Sequence, residues 1–421
     1  MAAVDFGPGR RQLRPLMRIL HLAKYYWPRS GGMERVVRDL AEGANALGHQ
    51  AEVIAVRSFG EGTRRPGNFV TRTFSFGALG SQEIAPGYIA AAWRRADVIH
   101  VHHPHPLADV ACLLRASLTP VVVTQHADSS RSTWRPFARL VLRRAKAIVV
   151  PSRAHVAIST ELRGFESKVE VIPFGIDETR WSTVPPPPPG AAPRAIFIGR
   201  LVKFKGVDIL LRALEQVPDL RLDIVGSGPE GPRLRTLAQA LAITDRVRWY
   251  GEYPDEDLPR RMADADFLVL PSVTTEEMFG LVVLEAMASG RPVITTAVPS
   301  AVRDVNLPGV TGLEVPLRDV GALARALESL AADPERRRQM GEAGGSGCPS
   351  SSPAGSWPSG TWGCISRSCR GGRPTGPCSP GAYHCPPGWT IFCRLGGSGV
   401  HDCGRTFRRC FWNQRSRQSV A

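Results

Sequence analysis

Over most of its length the sequence has little cysteine, little lysine and no long apolar run. Residues 1–347 contain a single cysteine, Cys112, which excludes a disulfide-based scaffold for this part of the chain. No apolar run approaches the roughly 18 residues that a membrane-spanning helix needs. The first 17 residues also lack the apolar segment of a secretory signal. We therefore expect a cytoplasmic protein.

The last 74 residues, 348–421, differ in composition from the rest. They hold the other eight cysteines and nine arginines but only one acid, Asp402, and so supply +8 of the formal net charge of +15. Because the basic character is concentrated here, we expect no nucleic-acid partner. The cysteines lack the C-x-x-C pairs of zinc sites. We expect residues 346–421 to be disordered, and their composition is typical of a GC-rich gene read out of frame.

From residue 17 onward, Val- and Ile-rich runs alternate with amphipathic helical patterns. Runs of this kind indicate parallel strands that are buried on both faces of a sheet. A proline run at 185–190 can neither join a sheet interior nor continue a helix, so it predicts a linker. We therefore predict an α/β protein with two Rossmann-like parallel-sheet domains that face each other across a cleft.

The domains are expected at residues 17–184 and 191–345. The predicted strands are 18–23, 51–56, 96–102, 120–126, 147–152 and 169–175 in the first domain, and 195–200, 220–226, 247–252, 266–272 and 292–296 in the second.

Two glutamates bracket a segment of the second half. Glu277 precedes Phe279-Gly280-Leu281, where a glycine before a helix allows a phosphate to approach the helix N-terminus. Glu285 falls in an apolar helix, where a buried carboxylate needs a partner. A glycosidase pair is one alternative. Eight helical steps would separate the two carboxylates by about 12 Å, whereas glycosidase pairs lie about 5 to 9.5 Å apart.

Two cations follow the first strand of the second half. Arg200 and Lys205 lie in GRLVKFKG, at a strand end where open α/β sheets bind ligands. A guanidinium fork and an ammonium point charge together can neutralise a diphosphate. Two solvated cations at a turn are the alternative interpretation.

A glycine pattern follows the next strand. Gly226, Gly228 and Gly231 match G-x-G-x-x-G, and Asp245 follows at roughly the distance of a dinucleotide fingerprint. An oxidoreductase is therefore a formal alternative. The motif stands on the second strand of its half and contains a proline, which weakens that interpretation.

The first half offers three candidate features. Gly31 and Gly32 open the first helix and could let a ligand approach backbone amides. His126 ends a predicted strand and should face the same cleft. Residues 132–147 combine apolar and arginine side chains at helical spacing, so this helix could lie on an anionic membrane. A core-packed helix with a solvated basic face is the alternative for it.

Taken together, these motifs resemble the retaining glycosyltransferases of family 4, which have the GT-B fold. The resemblance covers residues 17–343 and rests on the order and spacing of several segments. These are SGGMERVVRDLAEGANALGHQAEVIAV, HHPHPLAD, VVVTQHAD, VIPFGID, GRLVKFKGVDILL, VGSGP and EMFGLVVLEAMASGRPVI.

The resemblance implies roles for the candidate residues. Arg200 and Lys205 would bind the donor diphosphate and stabilise the leaving nucleoside diphosphate, while Glu285 would accept hydrogen bonds from the ribose. Gly31, Gly32 and Gly226 would lie near the donor, and His126 would contact the transferring sugar. The donor sugar's hydroxyls and a phosphate would be held by Glu277, Phe279, Gly280 and Leu281.

The implied reaction moves a hexose from GDP-mannose or a UDP-hexose to a glycan or lipid-linked acceptor. No metal and no cofactor are expected, and the protein could contact a membrane peripherally. The sequence departs from the family pattern in two places, and the second departure keeps a catalytically impaired, nucleotide-binding relative open. Met278 stands where the family has a small residue, and after Gly344 the sequence departs from a helix that, in the family, crosses back onto the first domain.

Overall fold

The computed structural model describes residues 16–27, 31–57, 68–79, 82–115, 119–129, 132–177, 180–181 and 192–345. The first half contains a seven-stranded sheet in the order β3-β2-β1-β6-β7-β8-β9, with all neighbouring strands parallel. Its strands are β1 (Arg18–Leu22), β2 (Gln50–Arg57), β3 (Val70–Phe74), β6 (Val98–His103), β7 (Val121–Gln125), β8 (Ala147–Val150) and β9 (Val169–Val171), and a separate antiparallel pair is formed by β4 (Ala78–Leu79) and β5 (Gln82–Glu83).

Helices cover both faces of this sheet. On one face Val37 and Ala41 pack against Val53, and on the other Leu142 packs in a cluster with Ile99. Both faces are therefore buried, which explains the uniformly apolar strands. The helices are α1 (Gly32–Ala46), α2 (Gly87–Ala91), α3 (Pro106–Leu114), α4 (Arg135–Arg144) and α5 (Arg153–Ile158).

The second half contains a six-stranded parallel sheet in the order β12-β11-β10-β13-β14-β15. Trp181, which precedes the predicted linker in sequence, is buried in the core of this half. The strands are β10 (Arg194–Ile198), β11 (Arg221–Val225), β12 (Val247–Gly251), β13 (Phe267–Leu270), β14 (Val293–Thr296) and β15 (Gly312–Val315), and the helices are α6 (Val207–Glu215), α7 (Gly231–Ala240), α8 (Leu258–Ala263), α9 (Leu281–Ala288), α10 (Val302–Val305), α11 (Val320–Ala332) and α12 (Pro334–Gly345).

The predicted fold class is confirmed, with local differences. The strand expected at 169–175 ends at Val171, because Pro173 cannot donate to a sheet ladder. The strands β3 and β15 were not predicted, nor were the helices after residue 320. The predicted linker at 185–190 and the segment 346–421 lie outside the described residues. No described helix is long and apolar enough to cross a membrane.

The carboxyl ends of the two sheets meet across a cleft. Phe174, which follows β9, contacts Phe279 in the loop after β13, with ring centroids 5.3 Å apart. A Cβ at Gly32, which opens α1, would lie 3.7 Å from Leu281 Cδ1 at the start of α9. Loops from both sheets are thus brought to one place, where open α/β sheets bind their ligands.

Candidate active site

Lys205 and Glu277 form the centre of the site on the side of the second sheet. Lys205 lies in a 3-10 turn after β10, and its Nζ is 2.5 Å from Glu277 Oε2 in the loop after β13. Ser272 Oγ donates to the same oxygen over 2.8 Å. Two donors therefore satisfy this oxygen of Glu277, a residue that is only 7% exposed. The structure brings these two predicted residues together, although 72 positions separate them in the sequence.

Arg200 is the predicted cation that this pair does not include. Its side chain is exposed at the end of β10. Among the residues that the structure describes, its guanidinium has neither an ion-pair partner nor a hydrogen-bond partner. The group is thus free to meet an anionic ligand that enters from the cleft.

The loop before α9 places backbone groups at the same edge. Gly280 has a φ of +73°, in the left-handed region that favours glycine, and it is the N-cap of α9. Its turn buries Phe279 in the core and starts the helix at Leu281. The amide groups of the first turn of α9 are thereby presented near Glu277, where an anion is favoured.

The glycine-rich loop after β11 packs backbone against backbone. A Cβ at Gly226 would lie 2.0 Å from Gly199 O, and its φ of +131° also favours glycine. Gly228 makes the same kind of approach to Leu201 O. The glycine spacing therefore serves the packing of two loops. Beside them is a cavity of about 270 Å³ that is lined by Leu201, Gly226, Ser227, Gly228, Gly231, Pro232, Arg235 and Gly251.

Glu285 has a partner that the sequence did not reveal. Its carboxylate is buried on α9, and Oε1 accepts a hydrogen bond from the Arg35 guanidinium of α1. The buried Oε2 has no hydrogen-bond partner among the described residues. Arg35 comes from the other domain, 250 residues away in sequence. Oε1 of this carboxylate is thus paired with a cation, whereas Oε2 remains an unsatisfied acceptor.

Asp255 extends this contact between the domains. Its carboxylate lies 3.5 Å from Arg35 Nε, 3.1 Å from Arg38 Nη1 and 2.9 Å from Arg180 Nη1. Burial alone would raise the pKa of Asp255, but the guanidinium groups of Arg35 and Arg180 outweigh it and lower that pKa. Asp255 is therefore a charged anchor for three arginines. Sequence patterns missed it because the four residues come from three distant segments.

His126 lies on the opposite wall of the cleft. It follows β7, is 9% exposed and stacks on Phe174, with ring centroids 5.2 Å apart and an angle of 29° between the rings. Phe174 in turn contacts Phe279, so these rings span the cleft. Burial lowers the pKa of His126 to about 3, and the imidazole is therefore neutral near pH 7. Gly31 has extended backbone in front of α1 on this wall.

The sequence matches two family models and many related proteins. The model described as Glycosyltransferase Family 4 matches residues 30–180, and the one described as Glycosyl transferases group 1 matches residues 184–346. The D-rhamnosyltransferase WbpZ of Pseudomonas aeruginosa is 30% identical over 77% of this chain and 89% of the relative. The O-antigen chain mannosyltransferase C of Escherichia coli is 28% identical over 77% of this chain and 92% of the relative.

A third relative, from Mycolicibacterium smegmatis, is 34% identical over 57% of this chain and 68% of its own length. It is a GDP-mannose-dependent alpha-(1-6)-phosphatidylinositol monomannoside mannosyltransferase.

Solved structures share the two-domain architecture. Sucrose-phosphate synthase from Thermosynechococcus elongatus superposes with a TM-score of 0.66 at 24% identity, over 78% of this chain and 93% of that one. HepE from Anabaena, in complex with UDP and glucose, superposes with a TM-score of 0.63 at 22% identity, over 78% and 94% of the two chains. With the family models and the rhamnosyltransferase, these matches show that the chain belongs to the family 4 glycosyltransferases and has the GT-B fold.

Proposed function

We propose that this glycosyltransferase moves a hexose from a nucleotide-sugar to a glycan or lipid-linked acceptor, with retention of configuration and without a metal ion. The unsatisfied Oε2 of Glu285 is the observation that carries the proposal. A buried carboxylate oxygen needs a donor, and the hydroxyl groups of a ribose supply one. Glu285 belongs to α9, and the proposed positions of the diphosphate and sugar are at the first turn of this helix and at Glu277.

The donor would extend from the glycine-lined cavity to the centre of the cleft. The cavity beside Gly226 would take the nucleobase, and Glu285 would accept from the ribose. Lys205 and Arg200 would face the diphosphate, with the amides at the start of α9. Glu277 would accept from sugar hydroxyls, while His126 and Gly32 would close the opposite wall.

The proposed transfer is a substitution at the anomeric carbon on one face of the sugar. The bond from the anomeric carbon to the phosphate oxygen breaks, and a bond from the same carbon to the acceptor oxygen forms. The acceptor's proton passes to the departing phosphate oxygen. Lys205 and Arg200 would stabilise the negative charge that develops on this leaving group, which is the task that a metal ion performs in other enzymes.

The relatives favour two donors. The mycobacterial relative is GDP-mannose-dependent, and the HepE structure holds UDP and glucose. We therefore propose GDP-mannose or a UDP-hexose, for use in polysaccharide or glycolipid synthesis.

We also propose peripheral membrane contact through α4. The helix buries Ala138, Val141 and Leu142 but leaves Phe137 and Leu140 43% and 44% exposed. Exposed arginines stand on the same helix, so an anionic surface would meet both apolar and basic side chains. A lipid-linked acceptor would be reached from such a position.

A donor panel tests the reaction. The full chain would be incubated with GDP-mannose, UDP-glucose, UDP-galactose and UDP-N-acetylglucosamine, with and without EDTA. Water would replace the acceptor oxygen, and nucleotide release by this slow hydrolysis would be measured. We expect release from one nucleotide class, unchanged by EDTA. Calorimetry with GDP, UDP and NAD would run in parallel. Nucleotide binding without release from any donor would indicate the impaired relative, and NAD binding alone would indicate the oxidoreductase.

A further inference from the structure

Three buried or partly buried histidines, His21, His100 and His102, lie on one face of the first sheet behind His126. His21 on β1 is the register partner of His100 on β6, and His102 on β6 is the partner of Thr124 on β7. Partners in register share a face of the sheet, and so do residues two apart on one strand. His126 follows Thr124 by two residues and continues the row beyond the end of β7. The row therefore leads from the sheet interior to the cleft.

Three of these imidazoles form a continuous hydrogen-bonded chain. His21 Nδ1 lies 3.1 Å from His102 Nε2, and His102 Nδ1 lies 3.1 Å from His126 Nε2. Both nitrogens of His102 are thus used inside the chain. The Nε2 of His126 also takes part in this chain of hydrogen bonds, so Nδ1 is the ring nitrogen that can contact another partner.

The three imidazoles of this chain are neutral, so its two hydrogen bonds must run in the same direction, either towards His126 or away from it. Burial lowers the pKa values of His21 and His102 well below their usual range, and the pKa of His126 to about 3. Each neutral imidazole carries one N–H donor and one bare acceptor nitrogen. Both hydrogen bonds can form only when all three protons point the same way along the chain. The tautomer of His126 is then coupled to those of His102 and His21.

Three histidines of this row, His21, His100 and His102, fit a hydrogen-bonded arrangement better than a metal site. The candidate ligand atoms of His21, His100 and His102 lie up to 4.8 Å from one another. Two imidazole nitrogens on one tetrahedral zinc ion would be about 3.3 Å apart, given Zn–N bonds of about 2.0–2.1 Å. His100 Nε2 is instead 2.7 Å from Thr124 Oγ1. The observed arrangement is a set of hydrogen bonds.

We propose that His102 and His21 are positioning residues that hold His126 in one tautomer and one ring orientation. His126 Nδ1 then offers the transferring sugar a hydrogen bond of fixed polarity, either always donating or always accepting. The stacking of His126 on Phe174 restricts the ring from its other side. The catalytic part of this inference rests on the proposed contact between His126 and the sugar. The tautomer itself does not depend on that contact.

Side-chain NMR on the full chain tests the tautomer. With ¹⁵N-labelled histidine, and with His126→Asn used to assign the signal, we expect one protonated and one bare ring nitrogen for His126. In His102→Phe, which fills the space without a hydrogen bond, the two shifts should move towards a mixture of tautomers. His102→Gln, whose amide can still bond to His126, should restore part of the preference. The matched control is His105→Phe, because His105 is buried and neither of its nitrogens has a partner among the described residues.

Kinetics on the same variants test the catalytic part. We expect His102→Phe to lower kcat about 10- to 100-fold, by analogy with the loss of an outer hydrogen-bond partner of a metal-binding histidine. The donor KM should stay within about twofold, and His105→Phe should leave kcat unchanged. If His102→Phe fails to fold, His21→Leu breaks the same chain one step earlier and takes its place.

Two outcomes overturn the inference. A mixture of His126 tautomers in the unmodified protein, or an unchanged tautomer in His102→Phe, would reject the positioning role, whether or not the protein transfers sugar. A lost tautomer preference with unchanged kcat would instead reject the contact between His126 and the sugar. Failure of the inference is therefore distinguishable from failure of the proposed function.

Discussion

At the residue scale, Lys205 and Glu277 are coupled in both stability and proposed function. Each partner satisfies the other in a place where water reaches little of either side chain. Removing one partner of a buried pair leaves an uncompensated group, whereas removing both can be nearly neutral for folding. The donor diphosphate, however, would need the ammonium itself. Stability and activity should therefore respond differently to single and double substitutions.

We predict that Lys205→Ala lowers kcat about 10²- to 10³-fold, as the loss of a preorganised charge does in other enzymes. It should also destabilise the fold by about 3 kcal/mol, because Glu277 remains buried without its cation. In the double variant Lys205→Ala/Glu277→Gln, Tm should recover while kcat does not. Nucleotide release and thermal unfolding measure the two effects.

Lys203 provides the matched control, because it lies in the same 3-10 turn with an exposed side chain. Lys203→Ala should leave both kcat and Tm unchanged. An equal loss of activity in Lys203→Ala and Lys205→Ala would show that the turn needs only general positive charge, which would reject a specific role for Lys205.

At the scale of elements, the sequence predicted the parts whose signal is local. Strands such as β10 and β13 are short apolar runs, and the carboxyl end of β10 was expected to bind a ligand. That rule predicted a ligand site at Lys205, and the family resemblance added Glu277 to the same site. It could not predict Arg35 beside Glu285, because a helix surface carries no signal about a partner 250 residues away. The strand β15 and the helices after it were not predicted either.

The helix α4 has one face that packs on the first sheet and another that is exposed. Its buried side chains fix it to the first sheet, which agrees with a core-packed helix. We predict that Phe137→Ser/Leu140→Ser lowers binding to phosphatidylglycerol vesicles about 10-fold or more, because two apolar side chains no longer enter the lipid. Binding of the unmodified protein should also weaken as salt rises, since the arginines are screened. Vesicle co-sedimentation measures both.

The control for this helix is Leu47→Ser, an exposed leucine at the end of α1. It should bind vesicles as the unmodified protein does. Equal binding by the α4 variant, or the same loss with Leu47→Ser, would contradict a membrane contact through α4.

At the scale of the whole molecule, the two domains differ in how their charges respond to acid. The first domain contains eight histidines, and the second domain, residues 191–345, contains none. Burial lowers the pKa of His100 to about 4 and that of His126 to about 3, and it also lowers the pKa values of His21, His102 and His105. The first domain thus contains imidazoles that stay neutral when folded but accept protons near pH 6.5 when unfolded.

The sign of the pH effect follows from proton uptake. Below pH 6.5 the unfolded chain binds protons that the folded chain does not, so stability falls as pH falls. Each such histidine contributes about 1.4 kcal/mol per pH unit until the folded pKa is reached. His103 opposes the trend: burial would lower its pKa, but Asp109 outweighs burial and raises it. The loss should be confined to the first domain, because the second has no histidine.

We predict that the urea midpoint of the first domain falls between pH 7.5 and pH 5.5 while that of the second changes little. Pulse proteolysis with peptide mass spectrometry reports the two domains separately in one sample. His105→Phe removes one buried imidazole, so it should make the pH dependence of the first domain shallower by about 1.4 kcal/mol per pH unit. Because Asp255 of the second domain pairs with Arg35 and Arg38 of α1, the acid-weakened first domain should also release these two ion pairs. Equal losses in both domains would mean that carboxylates rather than the buried histidines set the response to acid.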